Sequence, residues 1–116
     1  NYSVAYNNIG VSLFNLNKFS ESIEYFDKAI QYSSNDDSEH IKLKAYYNKG
    51  LSYMGLNKIQ NAIVSFNEAL KISPKFDKIY TKLIKCYKIQ EKHEEIIKVS
   101  EILIKNDPKN VEYYTL

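Results

Sequence analysis

The 116 residues contain no arginine and no tryptophan, and only one cysteine, three glycines and two prolines. Because sequence-specific DNA readout depends on the bidentate arginine guanidinium, a basic set made only of lysine argues against specific DNA binding. The single Cys86 cannot form an internal disulfide, which favours a reducing compartment, and we expect a cytoplasmic protein. No apolar run is long enough for a membrane span and no leader is seen, so we expect no membrane insertion.

Motifs for catalysis and metal binding are absent as well. The sequence has no glycine-rich phosphate loop, no Gly-x-Ser-x-Gly and no two-histidine zinc helix. Residues 93–95, His-Glu-Glu, begin like a zinc-protease helix, but no second histidine follows. The acidic segment with Asp36, Asp37 and Glu39 lacks the glycine and the distal glutamate of a calcium loop. We therefore expect no enzymatic activity, no catalytic residue, no metal site and no cofactor.

Three segments of the chain share one pattern of aromatic, small and apolar residues. When Gly10, Gly50 and Ile84 are aligned, the second and third segments are 34 residues apart and the first two are 40 apart. Each segment has the periodicity of two amphipathic helices, and a short turn separates them at residues 17–18, 57–58 and 91–92. Ser20 is expected to cap the second helix. The predicted helices lie near residues 3–16, 20–33, 39–56, 59–72, 77–90 and 93–106.

The repeated positions carry a family resemblance. In the middle segment they are Tyr46, Gly50, Tyr53, Ala62, Phe66, Ala69 and Pro74. This pattern resembles the tetratricopeptide repeat family. The resemblance implies an all-α fold, a right-handed α–α superhelix of antiparallel helix pairs, in one domain of residues 1–116. It divides the domain into repeats at 3–36, 43–76 and 77–110, an insertion at 35–42 and the start of a fourth helix pair at 111–116.

Individual copies depart from the family pattern. Ser22 replaces the small alanine of the first copy, and Lys49 stands where an apolar residue is usual. In the third copy Ile84 replaces the glycine and Ser100 replaces the third aromatic residue. The third copy is therefore the loosest match to the pattern, which does not predict close helix packing at Ile84.

The resemblance also implies a binding surface. In such repeats the first helix of each pair lines the concave side of the solenoid, through the second, fifth, sixth, ninth and twelfth slots of each copy. This face changes from apolar and amide residues in the first copy to lysines in the third. The predicted peptide-binding residues are Asn7, Asn8, Val11, Phe14, Lys44, Tyr47, Asn48, Leu51, Met54, Lys78, Lys82 and Lys85.

These residues suggest a non-enzymatic scaffold that binds an extended, acidic peptide segment of another protein. The sixth-slot amides Asn8 and Asn48 can donate to and accept from a peptide backbone. Four lysines lie along a single helix stripe and repel one another: Lys78, Lys82, Lys85 and Lys88. A stripe that tolerates this repulsion is a candidate site for the carboxylates of a ligand. The apolar positions would form a pocket for one or two anchor side chains; they are Val11, Phe14, Leu51 and Met54.

One subfamily binds the C-terminal Glu-Glu-Val-Asp tail of chaperones. Asn48, Lys78 and Lys82 match its clamp, with Lys82 in place of an arginine, whereas Asn7 and Val11 depart from it. A standard dicarboxylate clamp is therefore not expected.

Three alternatives remain open. The domain can be an architectural module that self-associates through its C-terminal end at Tyr113 and Tyr114. It can be the peptide-sensing part of a regulatory protein, since its sixth-slot Asn resembles bacterial peptide-pheromone receptors and kinesin light chains. Finally, 11 tyrosines and five phenylalanines can stack on single-stranded nucleic acid, although the repeat core already explains the spacing of most rings.

Overall fold

The computed structural model describes residues 2–33 and 39–106, and all regular structure within these ranges is helical. Every helix begins and ends within one residue of its predicted bounds, so the all-α prediction is confirmed. The start of a fourth pair at 111–116 and the first half of the insertion, 35–38, lie outside the described residues, and residues 39–42 belong to the third helix. The helices are α1 (Tyr2–Asn15), α2 (Phe19–Tyr32), α3 (Glu39–Gly55), α4 (Ile59–Ile72), α5 (Asp77–Ile89) and α6 (His93–Asn106).

A left-handed residue closes the turn within each helix pair. Asn17, Asn57 and Glu91 have φ values of 63°, 60° and 56°. Asparagine is among the few residues that adopt this conformation readily, whereas glutamate is not. The expected cap at Ser20 is wrong. Because the chain turns at Asn17, α2 already begins at Phe19, and its N-cap residue makes no side-chain capping bond.

Within the first two pairs, a glycine of one helix faces a phenylalanine ring of the other. A Cβ atom built on Gly10 would lie 2.5 Å from Cε1 of Phe26, and one on Gly50 would lie 2.5 Å from Cε1 of Phe66. Both rings are 0% exposed, so the missing side chain makes the space that the ring fills.

In the third pair the large and the small residue have exchanged helices. Its large residue, Ile84, is on α5 and is 1% exposed, while the small Ser100 is on α6 at the position equivalent to the ring. Ile84 belongs to the main buried cluster, which runs from α4 through α5 to α6. The large buried side chain is thus on the second helix in the first two pairs and on the first helix in the third pair.

Polar contacts join the first pair to the second. The hydroxyl groups of Ser22 and Ser52 are 2.8 Å apart and buried between α2 and α3. The Lys49 ammonium lies 2.7 Å from a carboxylate oxygen of Asp27, which explains how a charged residue is accommodated at this slot. A smaller buried cluster lies at the same junction, where Phe26 and Ala29 of α2 meet Ala45 of α3.

Candidate functional site

All twelve predicted peptide-binding residues lie on the first helices of the three pairs, α1, α3 and α5. At about 100° per residue, the chosen slots fall along one side of each helix. We call the surface that these twelve residues form the inner face. Its exposed members are Asn8, Lys44, Lys78 and Lys85, and its half-buried members are Val11, Phe14, Tyr47, Asn48, Leu51, Met54 and Lys82.

An amide pair connects α1 to α3 on the inner face. Nδ2 of Asn48 donates to Oδ1 of Asn7 over 3.5 Å, and Asn7 is only 6% exposed. Asn7 therefore orients the Asn48 amide, whose remaining donor and acceptor capacity is available on a half-buried surface. The residue of the first copy that shares the sixth slot with Asn48 is Asn8, which is exposed. The bond instead joins Asn48 to Asn7, at the fifth slot of the first copy.

Tyr47 is held by aromatic contacts that fix its position beside Asn48. Its ring centroid lies 5.9 Å from that of Phe66 and 5.7 Å from that of Phe76, the latter edge-on. Burial raises the pKa of the Tyr47 hydroxyl above its ordinary value, so it remains a neutral donor at physiological pH. A ring with a polar tip is well suited to a binding surface that is half dry and half wet.

The lysine stripe of α5 is the most strongly charged part of the inner face. The pKa of Lys82 is lowered by its burial, and next by the charges of Lys85 and Lys78. In residues 2–33 and 39–106, ion pairs engage Lys49, Lys71 and Lys98, and no carboxylate pairs with a lysine of this stripe. The stripe is therefore a concentration of positive charge on one side of α5.

The apolar positions of the inner face are only partly available. Val11 packs against the smaller buried cluster, and Leu51 and Met54 pack against the main one. The Phe14 ring lies 5.4 Å from that of Phe19 in an edge-on arrangement. All four remain half-buried, so each keeps some surface for an incoming side chain.

The described residues offer little for chemistry. They contain no group of three histidine, cysteine or acidic side chains that could hold a metal ion. Burial raises the pKa of the Cys86 thiol to about 11, which keeps it protonated and unreactive near neutral pH. None of the six helices combines the length and apolar content that crossing a bilayer requires.

The match to a known family covers the first two helix pairs. A family model of the tetratricopeptide repeat matches residues 3–36 and 43–76, which together make up more than half of the chain. The chain belongs to the tetratricopeptide repeat family. The resemblance inferred from the aromatic and glycine positions is thereby confirmed. Tetratricopeptide repeats are in general non-enzymatic scaffolds for protein–protein interaction.

Solved structures show the same solenoid. The Hsp90 co-chaperone Cns1 from Saccharomyces cerevisiae superposes with a TM-score of 0.86 at 22% identity, covering 97% of this chain and 36% of that one. The first TPR of Spaghetti (RPAP3), bound to the HSP90 peptide SRMEEVD, has a TM-score of 0.79 at 21% identity, covering 98% and 86%. The Arabidopsis OM64 TPR domain has a TM-score of 0.80 at 16% identity, covering 98% and 89%.

This tetratricopeptide repeat chain thus spans about a third of the Cns1 chain, at 36%. A search of curated protein sequences found no significant match. At these identities the solved structures establish the fold, and the nature of the ligand has to be argued from the inner face itself.

Proposed function

We propose that this tetratricopeptide repeat domain binds an extended, acidic segment of a partner protein on its inner face. The observation that carries the proposal is the lysine stripe of α5, where Lys82 is half-buried between Lys78 and Lys85 without a carboxylate partner in the described residues. A carboxylate placed among these ammonium groups would relieve their mutual repulsion. Lys44, exposed on α3, would extend the positive field toward the middle of the face and steer the ligand.

The amide and apolar positions would hold the rest of the segment. Asn48, oriented by Asn7, would bond the ligand backbone without reading its side chains, and Asn8 would do the same one copy earlier. Exposed lysine–carboxylate pairs contribute only about 0.2–1 kcal/mol each. Most of the affinity should therefore come from anchor side chains that bury apolar surface against Val11, Phe14, Leu51 and Met54.

A solved relative supports an acidic ligand. The first TPR of Spaghetti holds the peptide SRMEEVD, in which three of the seven side chains are carboxylates. The present chain differs from the clamp pattern for such tails at Asn7 and Val11, and it has Lys82 where an arginine is expected. Lysine pairs with a carboxylate as a point charge and does not form the bidentate fork of arginine. We therefore propose an internal acidic segment as ligand in preference to a Glu-Glu-Val-Asp tail.

Fluorescence anisotropy with labelled peptides tests the proposal. A library of acidic peptides is compared with matched peptides in which every Glu and Asp is replaced by Gln and Asn, at two salt concentrations. Acidic peptides should bind more tightly, the difference should shrink at high salt, and Lys82→Glu should weaken binding at least tenfold. Asn48→Ala should weaken acidic and amide peptides alike. Lys28→Glu, on the outer helix α2, makes the same charge change away from the inner face and should have little effect.

Two other outcomes would replace this function. If no peptide responds to Lys82→Glu or Asn48→Ala, the inner face is not the binding surface. If light scattering finds concentration-dependent dimers that survive Lys82→Glu, self-association is the better description. A steep decline of oligonucleotide binding with the logarithm of salt concentration would favour single-stranded nucleic acid as the ligand.

A further inference from the structure

A cleft lies on the side of α5 away from the lysine stripe. It has a volume of about 750 Å³ and opens between α4 and the turn that leads into α6. Tyr87 contributes to it from α5. At 100° per residue, Tyr87 lies about 140–180° around the helix from Lys78, Lys82 and Lys85. The cleft and the inner face are therefore on opposite sides of α5, and one ligand side chain cannot occupy both.

The walls of the cleft are apolar and amide in character, and they are held in place. Ile63 is buried and Tyr87 is half-buried. Nε2 of Gln90 donates a hydrogen bond to Oε1 of Gln60 over 3.1 Å. An aromatic ring and amide oxygens around a preformed cleft are groups that accept a cation carried on an aliphatic stem.

The rim of the cleft carries an excess of negative charge. Glu91, Glu94 and Glu95 line it together with a single lysine, Lys92. Only Glu95 has an ion-pair partner within residues 2–33 and 39–106, the exposed Lys98 at 3.8 Å. Burial first, and then the charge of Glu95, raises the pKa of Tyr87, so the carboxylate field reaches the floor of the cleft. The sign of the charge is opposite to that of the inner face.

Glu91 breaks a local rule of the fold. The other two left-handed turn positions are asparagine, whereas the third is glutamate at φ 56°. Asparagine relieves this conformation better than glutamate. Residues that violate a local preference are expected where a site needs their chemistry, and Glu91 supplies a carboxylate to the cleft that an asparagine would not.

We propose that this cleft is a second interaction site, which takes a lysine or arginine side chain from a basic segment of a partner protein. The aliphatic stem would pack against Ile63 and the Tyr87 ring, and the cation would lie among the carboxylates of Glu91, Glu94 and Glu95. Charge complementarity favours a basic occupant. The proposal does not depend on the identity of the inner-face ligand. The two surfaces together would let one domain hold an acidic and a basic segment at the same time.

A labelled peptide of alternating arginine and glycine tests the site, with a citrulline–glycine peptide of the same shape and no charge as its control. The arginine peptide should bind at least five times more tightly than the citrulline peptide. Glu91→Gln combined with Glu94→Gln should remove that difference, while Glu101→Gln, an exposed carboxylate of α6 outside the cleft, should preserve it. Equal binding of the two peptides, or no effect of the double variant, would overturn the proposal.

Two further variants exclude trivial explanations. Lys82→Met should leave arginine-peptide binding unchanged. Tighter binding in this variant, in which one ammonium group that repels the peptide is removed, would place the peptide on the inner face and overturn the second site. Tyr87→Phe keeps the ring and should retain binding. Light scattering identifies the occupant: dimers that disappear in the Glu91→Gln, Glu94→Gln variant would assign the cleft to a lysine of another copy and overturn a separate partner.

Discussion

Replacing Gly50 by alanine should destabilise the domain, contrary to the usual effect of this change in a helix. In an exposed helix, glycine to alanine stabilises by about 1 kcal/mol. Here the new Cβ would lie 2.5 Å from Cε1 and 2.7 Å from Cδ1 of Phe66, a ring that is 0% exposed. Overpacking of a buried site costs about 1–3 kcal/mol, and contacts this short with a ring enclosed on all sides call for the upper end of the range. The net loss should therefore be about 2 kcal/mol.

Thermal and urea unfolding followed by circular dichroism measure this loss. For a chain of this size, 2 kcal/mol corresponds to a decrease in Tm of roughly 8 °C. Gly55→Ala is the matched control, because its Cβ would lie 2.7 Å from Cζ, the far end of the half-buried Phe19 side chain, and not against a ring that is 0% exposed. The change in stability for Gly55→Ala should be close to zero.

A double-mutant cycle identifies the cause. If the clash with the ring is responsible, Gly50→Ala should be harmless or stabilising in a Phe66→Leu background, with a coupling energy of about 1–3 kcal/mol. Stabilisation by Gly50→Ala alone, or additivity of the two changes, would refute the argument that the glycine makes space for the ring.

Three further predictions concern single side chains. Glu91→Asn should raise the free energy of unfolding by about 1 kcal/mol in urea titrations, because asparagine adopts the left-handed conformation more readily; no gain would mean that the turn is unstrained. Cys86 should react with a thiol reagent at pH 8 only after unfolding, because burial raises its pKa to about 11; fast labelling of the native domain would contradict this. Folding lowers the pKa of Lys82, so between its folded and unfolded pKa values the unfolded chain binds more protons than the folded one. The contribution of Lys82 to the free energy of unfolding should therefore rise with pH across that window and be lowest below it. In an NMR titration, Lys85→Met should raise the pKa of Lys82. An unchanged pKa would mean that the neighbouring lysines do not contribute to the shift that burial begins.

The sequence predicted the helices and their pairing because these depend on local rules. Apolar periodicity marked the helices, and the glycines at 10 and 50 marked the positions where two helices approach closely. Asn17 and Asn57 indicated the turns. The Ser20 cap failed because a left-handed turn residue moved the start of α2, which a propensity rule does not anticipate.

Contacts between copies were harder to predict. The bond between Asn7 and Asn48 depends on how far one pair is rotated relative to the next, which residue spacing within a copy does not report. In the sequence, Ile84 and Ser100 were two separate departures from the pattern. The packing of α5 against α6 shows that the larger residue at 84 compensates for the smaller one at 100. The acidic cleft was missed for the same reason, since α4, α5 and the turn before α6 all contribute to it.

The seam between the first two helix pairs links ligand binding to local unfolding. The seam that attaches the first pair to α3 includes the small buried cluster of Phe26, Ala29 and Ala45, the bond between Ser22 and Ser52, and the ion pair between Lys49 and Asp27. In a solenoid, stability is a sum of repeat and nearest-neighbour terms, so the first pair can open separately from the rest only by breaking this seam. When the first pair detaches, Asn48 loses the partner that orients its amide. A ligand that requires Asn48 in this orientation would therefore bind more weakly to the opened form, and its binding would stabilise the attachment of the first pair to α3.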